Sequence, residues 1–358
     1  MQTLQYLYEN TFKNGTFFDR KVIITAKKTL LLGPRKSGKT HLILDDLSYY
    51  EKGSYLYIDL SDERIDKSEI AEYLGLFVKK NPIRLLVLEH FDFSFELPIL
   101  DEIILTTCTP TSSIYGFETL TLYPLDFEEF IAFDKKHFNV ETLFNLYTQQ
   151  GTFAHIFQDN EQNSQRLTQE MLHIILGYGL EFLIYKRLCE LQSTRVSLFQ
   201  IYNSLKTFTK LSKDKLYAIV ASLEQQKLLF WVEKYNSPSS AKKIYPIDFS
   251  FRNALTFKKD FPKLFENMVF LELIKRNKTI FYEEGIDFFI PNENLAILCI
   301  GFSTKEMIEL KIKKLLPTVL SLHIKRIEVV TLSSENAFAV EGISFSILPF
   351  WEWALQLS

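Results

Sequence analysis

The sequence predicts a mixed α/β protein whose N-terminal part is a parallel sheet covered on both faces, and three observations carry that prediction. Up to about Phe130, short apolar runs (LLLG, SYLYIDL, RLLVLEH, EIILTT, TLTLYPL) alternate with polar or helical stretches. Buried strands separated by helices have this pattern, because each crossover helix covers a sheet face. Gly (12) and Pro (11) are scarce while Phe (32) is abundant, which suits helices and aromatic packing better than a turn-dense all-β chain. A hydrophobic fraction of 47% and a charged fraction of 24% over 358 residues supply real cores, enough for about two to three domains.

Along the chain, a strand at Thr29 to Leu32 precedes a helix through His41 to Tyr50, and further strands follow at YLYID, Leu85 to Leu88 and Ile103 to Leu105. From Asn139 to Gln192 the pattern turns helical, most clearly over Thr168 to Glu190. A helix from Ser212 to Gln226 then leads to LLFWVEKY, the loop NSPSSA and KKIYPIDF. Helix followed by hairpin is the outline of a winged helix. FENMVFLELIKR, IFYEEGIDFFI, LAILCIGF, KEMIELKIKKLL and IKRIEVVTL form another α/β unit. The boundaries expected are 1–135 for the sheet core, 136–195 for a helical segment, 196–257 for the winged helix and 258–358 for the last unit.

Lys+Arg 41 against Asp+Glu 44 leaves a net charge of −3, which excludes a globally basic nucleic-acid coat. Any such contact needs a local patch. Cys108, Cys189 and Cys299 are far apart and in no C-x-x-C spacing, which points to a reducing compartment and away from zinc. The start MQTLQYLYEN lacks a secretory pattern, and the apolar stretch Met171 to Tyr185 is interrupted by Glu181 and too short to span a bilayer. A cytoplasmic protein without a membrane segment is expected.

Residues 33–40 read Gly33-Pro34-Arg35-Lys36-Ser37-Gly38-Lys39-Thr40, a complete G-x-x-x-x-G-K-[ST] between a strand and a helix that His41 continues. The chemistry requires this arrangement. Small residues let backbone N–H groups fold around a phosphate at a helix N-terminus, where the dipole favours anions. Lys39 is placed to bridge the β- and γ-phosphates, and the Thr40 hydroxyl to ligate Mg²⁺. The expected ligand is ATP with Mg²⁺, held by Gly33 through His41. A hydrolysing site adds a strand ending in Asp, often followed by Glu to activate water. Here the strand Leu85 to Leu88 ends in Glu89-His90. Glu89 can reach the metal; His90 is a poor replacement for a water-orienting carboxylate, and its ordinary reading is a strand-end histidine satisfied by neighbours. Asp92 and Asp59 are alternative acids. Thr106 and Thr107 end the next strand, with hydroxyls able to touch the γ-phosphate.

GPRKSGKT, YLYIDLSDER, ILTT and LTLYPLDFEEF together resemble, in order and spacing, the bacterial and archaeal ATP-binding proteins of AAA type. In that family these are the P-loop, second strand, sensor strand and a Pro-Leu-x-Phe-x-Glu-Phe segment leading into a helical lid. The resemblance implies Glu89 as the Walker B acid and Thr106 as the sensor residue, both catalytic. It also implies a downstream winged helix and a restriction-endonuclease-like domain. Two departures, Glu89-His90 for Asp-Glu and Gly116-Phe117 for Gly-Arg, bear on hydrolysis but not on nucleotide binding.

The winged helix would present Lys206, Lys210, Lys213 and Lys215, with Lys242 and Lys243 on the wing, to nucleic-acid phosphates. The alternative is a solvated face on a module that serves as an interdomain lever, since Asp214 and Glu224 dilute the patch. In the last unit Glu266 and Asp287 stand where the resemblance places metal-binding acids, but Leu298-Cys299-Ile300-Gly301-Phe302 carries no acid and no lysine. The E-x-K at Glu309-Leu310-Lys311 has helical surroundings. The expectation is a degenerate, non-cleaving domain. The whole reads as a nucleotide-dependent switch with slow or absent hydrolysis and an unknown protein partner. The rival is a pseudo-ATPase scaffold or DNA-binding protein, and an ATP-dependent nuclease is third.

Overall fold

The structure, a computed structural model, describes residues 1–10, 18–107, 111, 113–153, 164–276 and 278–356. Cys108 lies outside the described residues; Cys189 and Cys299 are free thiols. The chain divides into two compact units, Met1–Tyr123 and Pro124–Ser358.

In the first unit, helix α1 (Gln2–Glu9) precedes β1 (Lys28–Leu32), α2 (Lys39–Leu47), β2 (Tyr55–Asp59), α3 (Lys67–Lys80), β3 (Leu85–Glu89), β4 (Glu102–Thr106) and β5 (Glu118–Thr121). The five strands form one parallel sheet in the order β2-β3-β4-β1-β5. Alternation along each strand explains why both faces are covered. Leu30, Leu56, Ile58, Leu86, Leu88, Ile103 and Leu105 pack with Leu4 of α1 and with Ile70, Leu74 and Phe77 of α3. Leu31, Tyr55, Tyr57, Leu85, Val87 and Ile104 face the other way, onto Leu42, Ile43 and Leu47 of α2. Helix α3 begins where Asp66 accepts the Ser68 and Glu69 N–H groups, and its last turn carries Lys79 and Lys80, which suit the helix dipole.

The second unit opens with α4 (Phe127–Ala132), α5 (Val140–Gln150), α6 (Ser164–Leu176) and α7 (Leu180–Glu190). The helical stretch read over Thr168 to Glu190 is thus two helices, parted at Gly177, whose φ is +70°. The DFEE of the YPLDFEEF segment is a capping box: Asp126 accepts the Glu129 N–H at 2.8 Å while Glu129 accepts the Asp126 N–H at 3.1 Å. Its aromatics are core: Phe127 and Phe130 pack on Tyr147, and Phe127 also on Phe144 and Phe350.

Then come β6 (Arg195–Val196), α8 (Leu198–Leu205), α9 (Lys213–Gln225), β7 (Leu229–Lys234), β8 (Lys242–Pro246), α10 (Phe251–Leu255) and α11 (Phe261–Ile274). The chain ends with β9 (Phe281–Glu283), β10 (Ile286–Ile290), β11 (Leu295–Cys299), α12 (Lys305–Ser321), β12 (Arg326–Thr331), β13 (Asn336–Val340), β14 (Ile343–Pro349) and α13 (Phe350–Gln356). Nine strands make one mixed sheet, β13-β14-β12-β11-β10-β9-β7-β8-β6. The hairpin β7/β8 joins the C-terminal strands through Glu233 beside Phe281 and Lys234 beside Tyr282. Phe289, Leu298, Val329 and Phe345 on one sheet face pack on Ile308, Ile312, Leu315 and Val319 of α12. Glu309 and Lys311 lie on that helix, as their spacing predicts. Among the described residues no helix is long and apolar enough to cross a membrane.

Candidate functional site

The motif loop runs from the end of β1 to the start of α2. Gly33 has φ +143°, and a Cβ there would stand 2.2 Å from the Leu122 carbonyl oxygen, so conformation and close approach both require glycine. Gly38, at φ +99°, is the N-cap of α2 and supplies no capping side chain, and the first turn carries no acid. The opening N–H groups of α2 therefore lie in a turn chemically suited to an anion. Pro34 and Ser37 are buried, Arg35, Lys36 and His41 exposed. Lys39 donates to the carbonyls of Gly33 and Pro34, both at 2.9 Å, and its ammonium thus lies within the loop. Ser37 Oγ is buried without a hydrogen-bond partner, and its O–H is a donor that a phosphate oxygen would accept.

Glu89 ends β3 and is 1% exposed. The Thr40 hydroxyl reaches both its oxygens at 3.0 Å, and the Tyr57 hydroxyl donates to Oε2 at 2.5 Å. Burial, with the Glu89 carboxylate beside it, pushes the Tyr57 pKa far up, so that hydroxyl remains a donor. A hydroxyl and a carboxylate in contact at the foot of an anion cradle are the hard oxygen donors Mg²⁺ takes. These residues fit the nucleotide and the metal expected from the motif.

His90 follows at φ +57°, its N–H bonded to Thr106 Oγ1 at 3.0 Å. Thr106 thus pins the turn after β3 and keeps its own hydroxyl proton to donate. His90 Nδ1 lies 3.1 Å from Asp59 Oδ1, and Asp59 also accepts from the Ser61 N–H and hydroxyl. Burial alone raises the Asp59 carboxyl, but the bonds from His90 and Ser61 outweigh it and hold the group below its usual value. Asp92 pairs with Lys67 at 2.9 Å instead of joining Glu89. Hydrogen bonding from Ser94 and Lys67 lowers it to about 2. Arg20 is absent from the sequence reading, yet its guanidinium donates to Ser37 O at 3.1 Å and Tyr123 O at 2.8 Å, tying the motif loop to the segment after β5. No local spacing marks it.

A second polar cluster lies in the other unit. The sequence reading puts Lys243 on an exposed wing, and the structure corrects this: Lys243 is 5% exposed. Its Nζ donates to Glu266 at 2.8 Å and lies 3.5 Å from Asp287. Successive residues of β8 face opposite ways, and this one faces α11. Tyr245 donates to Glu266 at 2.6 Å and the Cys299 N–H to Asp287 at 2.8 Å. Burial works against the Lys243 charge, but the two carboxylates outweigh it and hold its pKa above the usual lysine value. Lys242 instead pairs with Glu233 at 2.6 Å. Lys213 sits over the rings of Phe199 and Tyr202.

No protein-family model matches the chain. It is 24% identical over 395 residues to the uncharacterized protein MJ1544 of Methanocaldococcus jannaschii, covering 93% of this chain and 89% of that one. The Walker-type ATPase PABY2304 of Pyrococcus abyssi is similar in structure at a TM-score of 0.42 and 18% identity, over 64% of this chain and 91% of that one. The Orc1 protein of Aeropyrum pernix, solved in complex with DNA, gives 0.30 and 12%, over 64% and 86%. At these values neither structure assigns an activity or a partner to this chain. Its own residues give a mixed α/β protein with a parallel five-stranded sheet that carries G-x-x-x-x-G-K-T between β1 and α2, consistent with a P-loop NTPase core.

Proposed function

We propose that this chain is an AAA-type ATP-binding protein, a nucleotide-dependent switch with slow turnover. The observation that carries the reading is the Thr40 hydroxyl held at 3.0 Å from both oxygens of buried Glu89, at the start of the helix that the glycine loop opens. Loop N–H groups, Ser37 Oγ and Lys39 hold the phosphates; Thr40 and Glu89 hold Mg²⁺, which supplies charge neutralisation when bound. Thr106 serves as sensor through its remaining hydroxyl proton. Titration with ATP and ADP, with and without Mg²⁺, alongside a turnover assay, tests the reading. Micromolar or tighter ATP binding that Mg²⁺ strengthens is expected, and no binding refutes it.

A second reading, a scaffold whose working surface is the C-terminal half, is favoured by the Lys243 cluster. An ammonium already bridges Glu266 and Asp287, the two acids a phosphodiester-cleaving metal would need. Under this reading 136–195, 196–257 and 258–358 are lid, winged helix and non-cleaving endonuclease-like segments. Lys206, Lys210, Lys213, Lys215 and Lys242 remain as the basic side chains for nucleic acid. Filter binding of duplex DNA at two salt concentrations separates this from the lever reading, because phosphate contacts weaken steeply with salt.

A further inference from the structure

The place where a P-loop core is expected to carry a water-orienting carboxylate is His90, and the structure gives that histidine a partner that the chain order does not. Asp59 ends β2 and Glu89 ends β3, and the two are register partners across the parallel pair. The residue after Glu89 therefore emerges beside Asp59. The backbone turns at once, at φ +57°, and the Thr106 hydroxyl fixes the His90 N–H at 3.0 Å. Nδ1 then lies 3.1 Å from Asp59 Oδ1 with the ring one-third exposed (34%). Asp59 is itself fixed by Ser61, at 2.9 Å from its N–H and 2.7 Å from its hydroxyl.

We infer that Asp59 and His90 form a dyad that orients the hydrolytic water for ATP turnover. The inference rests on the nucleotide reading above. In the tautomer whose Nδ1–H donates to the Asp59 carboxylate, Nε2 is the acceptor of the ring. A water held there by one hydrogen has its oxygen free for the γ-phosphorus. The oxygen–phosphorus bond forms, the bond from γ-phosphorus to the bridging oxygen breaks with its electron pair passing to ADP, and both of the water's hydrogens leave on inorganic phosphate. Positioning and electrostatics carry most of such a reaction, so an orienting acceptor suffices without a strong base. His90 is the catalytic residue and Asp59 the positioning residue. On this proposal the missing carboxylate at position 90 is a replacement, whereas a strand-end histidine merely satisfied by its neighbours would leave the rate unchanged on removal.

The test measures ATP affinity and single-turnover hydrolysis on the full chain. His90→Ala is expected to slow hydrolysis by at least about tenfold, a floor below the roughly 10²–10⁴-fold of a lost general base because His90 orients the water without taking its proton, with ATP affinity changed less than about twofold. His90→Gln, whose amide oxygen accepts from water, should recover part of the rate. Asp59→Ala should lower kcat with little effect on KM, and Asp59→Asn, which retains an acceptor for Nδ1–H, should recover most of it. Thermal unfolding of each variant separates lost positioning from lost folding. An unchanged rate in His90→Ala or in folded Asp59→Ala overturns the dyad, as does wild-type protein that binds ATP and never hydrolyses it. Wild-type protein that fails to bind ATP overturns the nucleotide reading itself, a result distinguishable from the others.

Discussion

Thr40 and Glu89, 49 positions apart, meet with the threonine hydroxyl equidistant, at 3.0 Å, from both carboxylate oxygens. Thr40 opens α2 after the loop that leaves β1, and Glu89 ends β3; β4 lies between β1 and β3, which puts those two strands roughly 9–10 Å apart at the usual strand spacing. Glu89→Gln should leave ATP bound but remove most of the strengthening by Mg²⁺, because a neutral amide is a weak ligand for a hard cation. Titrations with and without Mg²⁺ check this; an unchanged Mg²⁺ effect moves the metal to another acid.

Lys39→Ala should weaken ATP binding by about 2 kcal/mol or more, since a charge-assisted contact to phosphate in a partly desolvated cradle is lost. Calorimetric titration reads this directly. Equal affinity in both proteins would remove the phosphate site from this loop.

The purified protein should show no Mg²⁺- or Mn²⁺-dependent cleavage of single- or double-stranded DNA or RNA, because Lys243 occupies the gap between Glu266 and Asp287. Lys243→Met should destabilise the second unit by about 3–5 kcal/mol, as expected when one partner of a buried ion pair is removed. Urea unfolding measures that loss. Cleavage that disappears in Asp287→Ala contradicts the assignment.

Asp46, half-buried on α2, should make the first unit less stable as pH rises. Burial, then the nearby Asp45 and Glu102 charges, raises its pKa from 3.8 to about 6. The folded state therefore favours the protonated form. Below the unfolded pKa both states are protonated and the group costs nothing; above about 6 both are ionised and the full penalty applies. Asp46→Asn should raise Tm at pH 7 to 8 by a few degrees, and the gain should vanish near pH 4. A Tm difference independent of pH would show that Asp46 acts by packing alone.

The glycine loop, its strand and its helix were legible in the sequence because their chemistry is local: spacing along the chain puts the glycines at the turn and the lysine at the helix start. The core strands were legible for the same reason, since alternation and apolar runs report burial directly. Thr40 and Glu89 could be named from motif and distance, but their contact needed the sheet order. Strand pairing across dozens of residues decided the rest. The β2–β3 register brought Asp59 to His90, and Arg20 found the Ser37 and Tyr123 carbonyls with no sequence signal. Lys243, which composition and position read as a surface charge on a hairpin, faces inward because β8 is covered by α11. A residue type and its spacing determine what chemistry a side chain can offer; which acid, carbonyl or amide it meets depends on how distant strands and helices pack, and that information belongs to the tertiary fold.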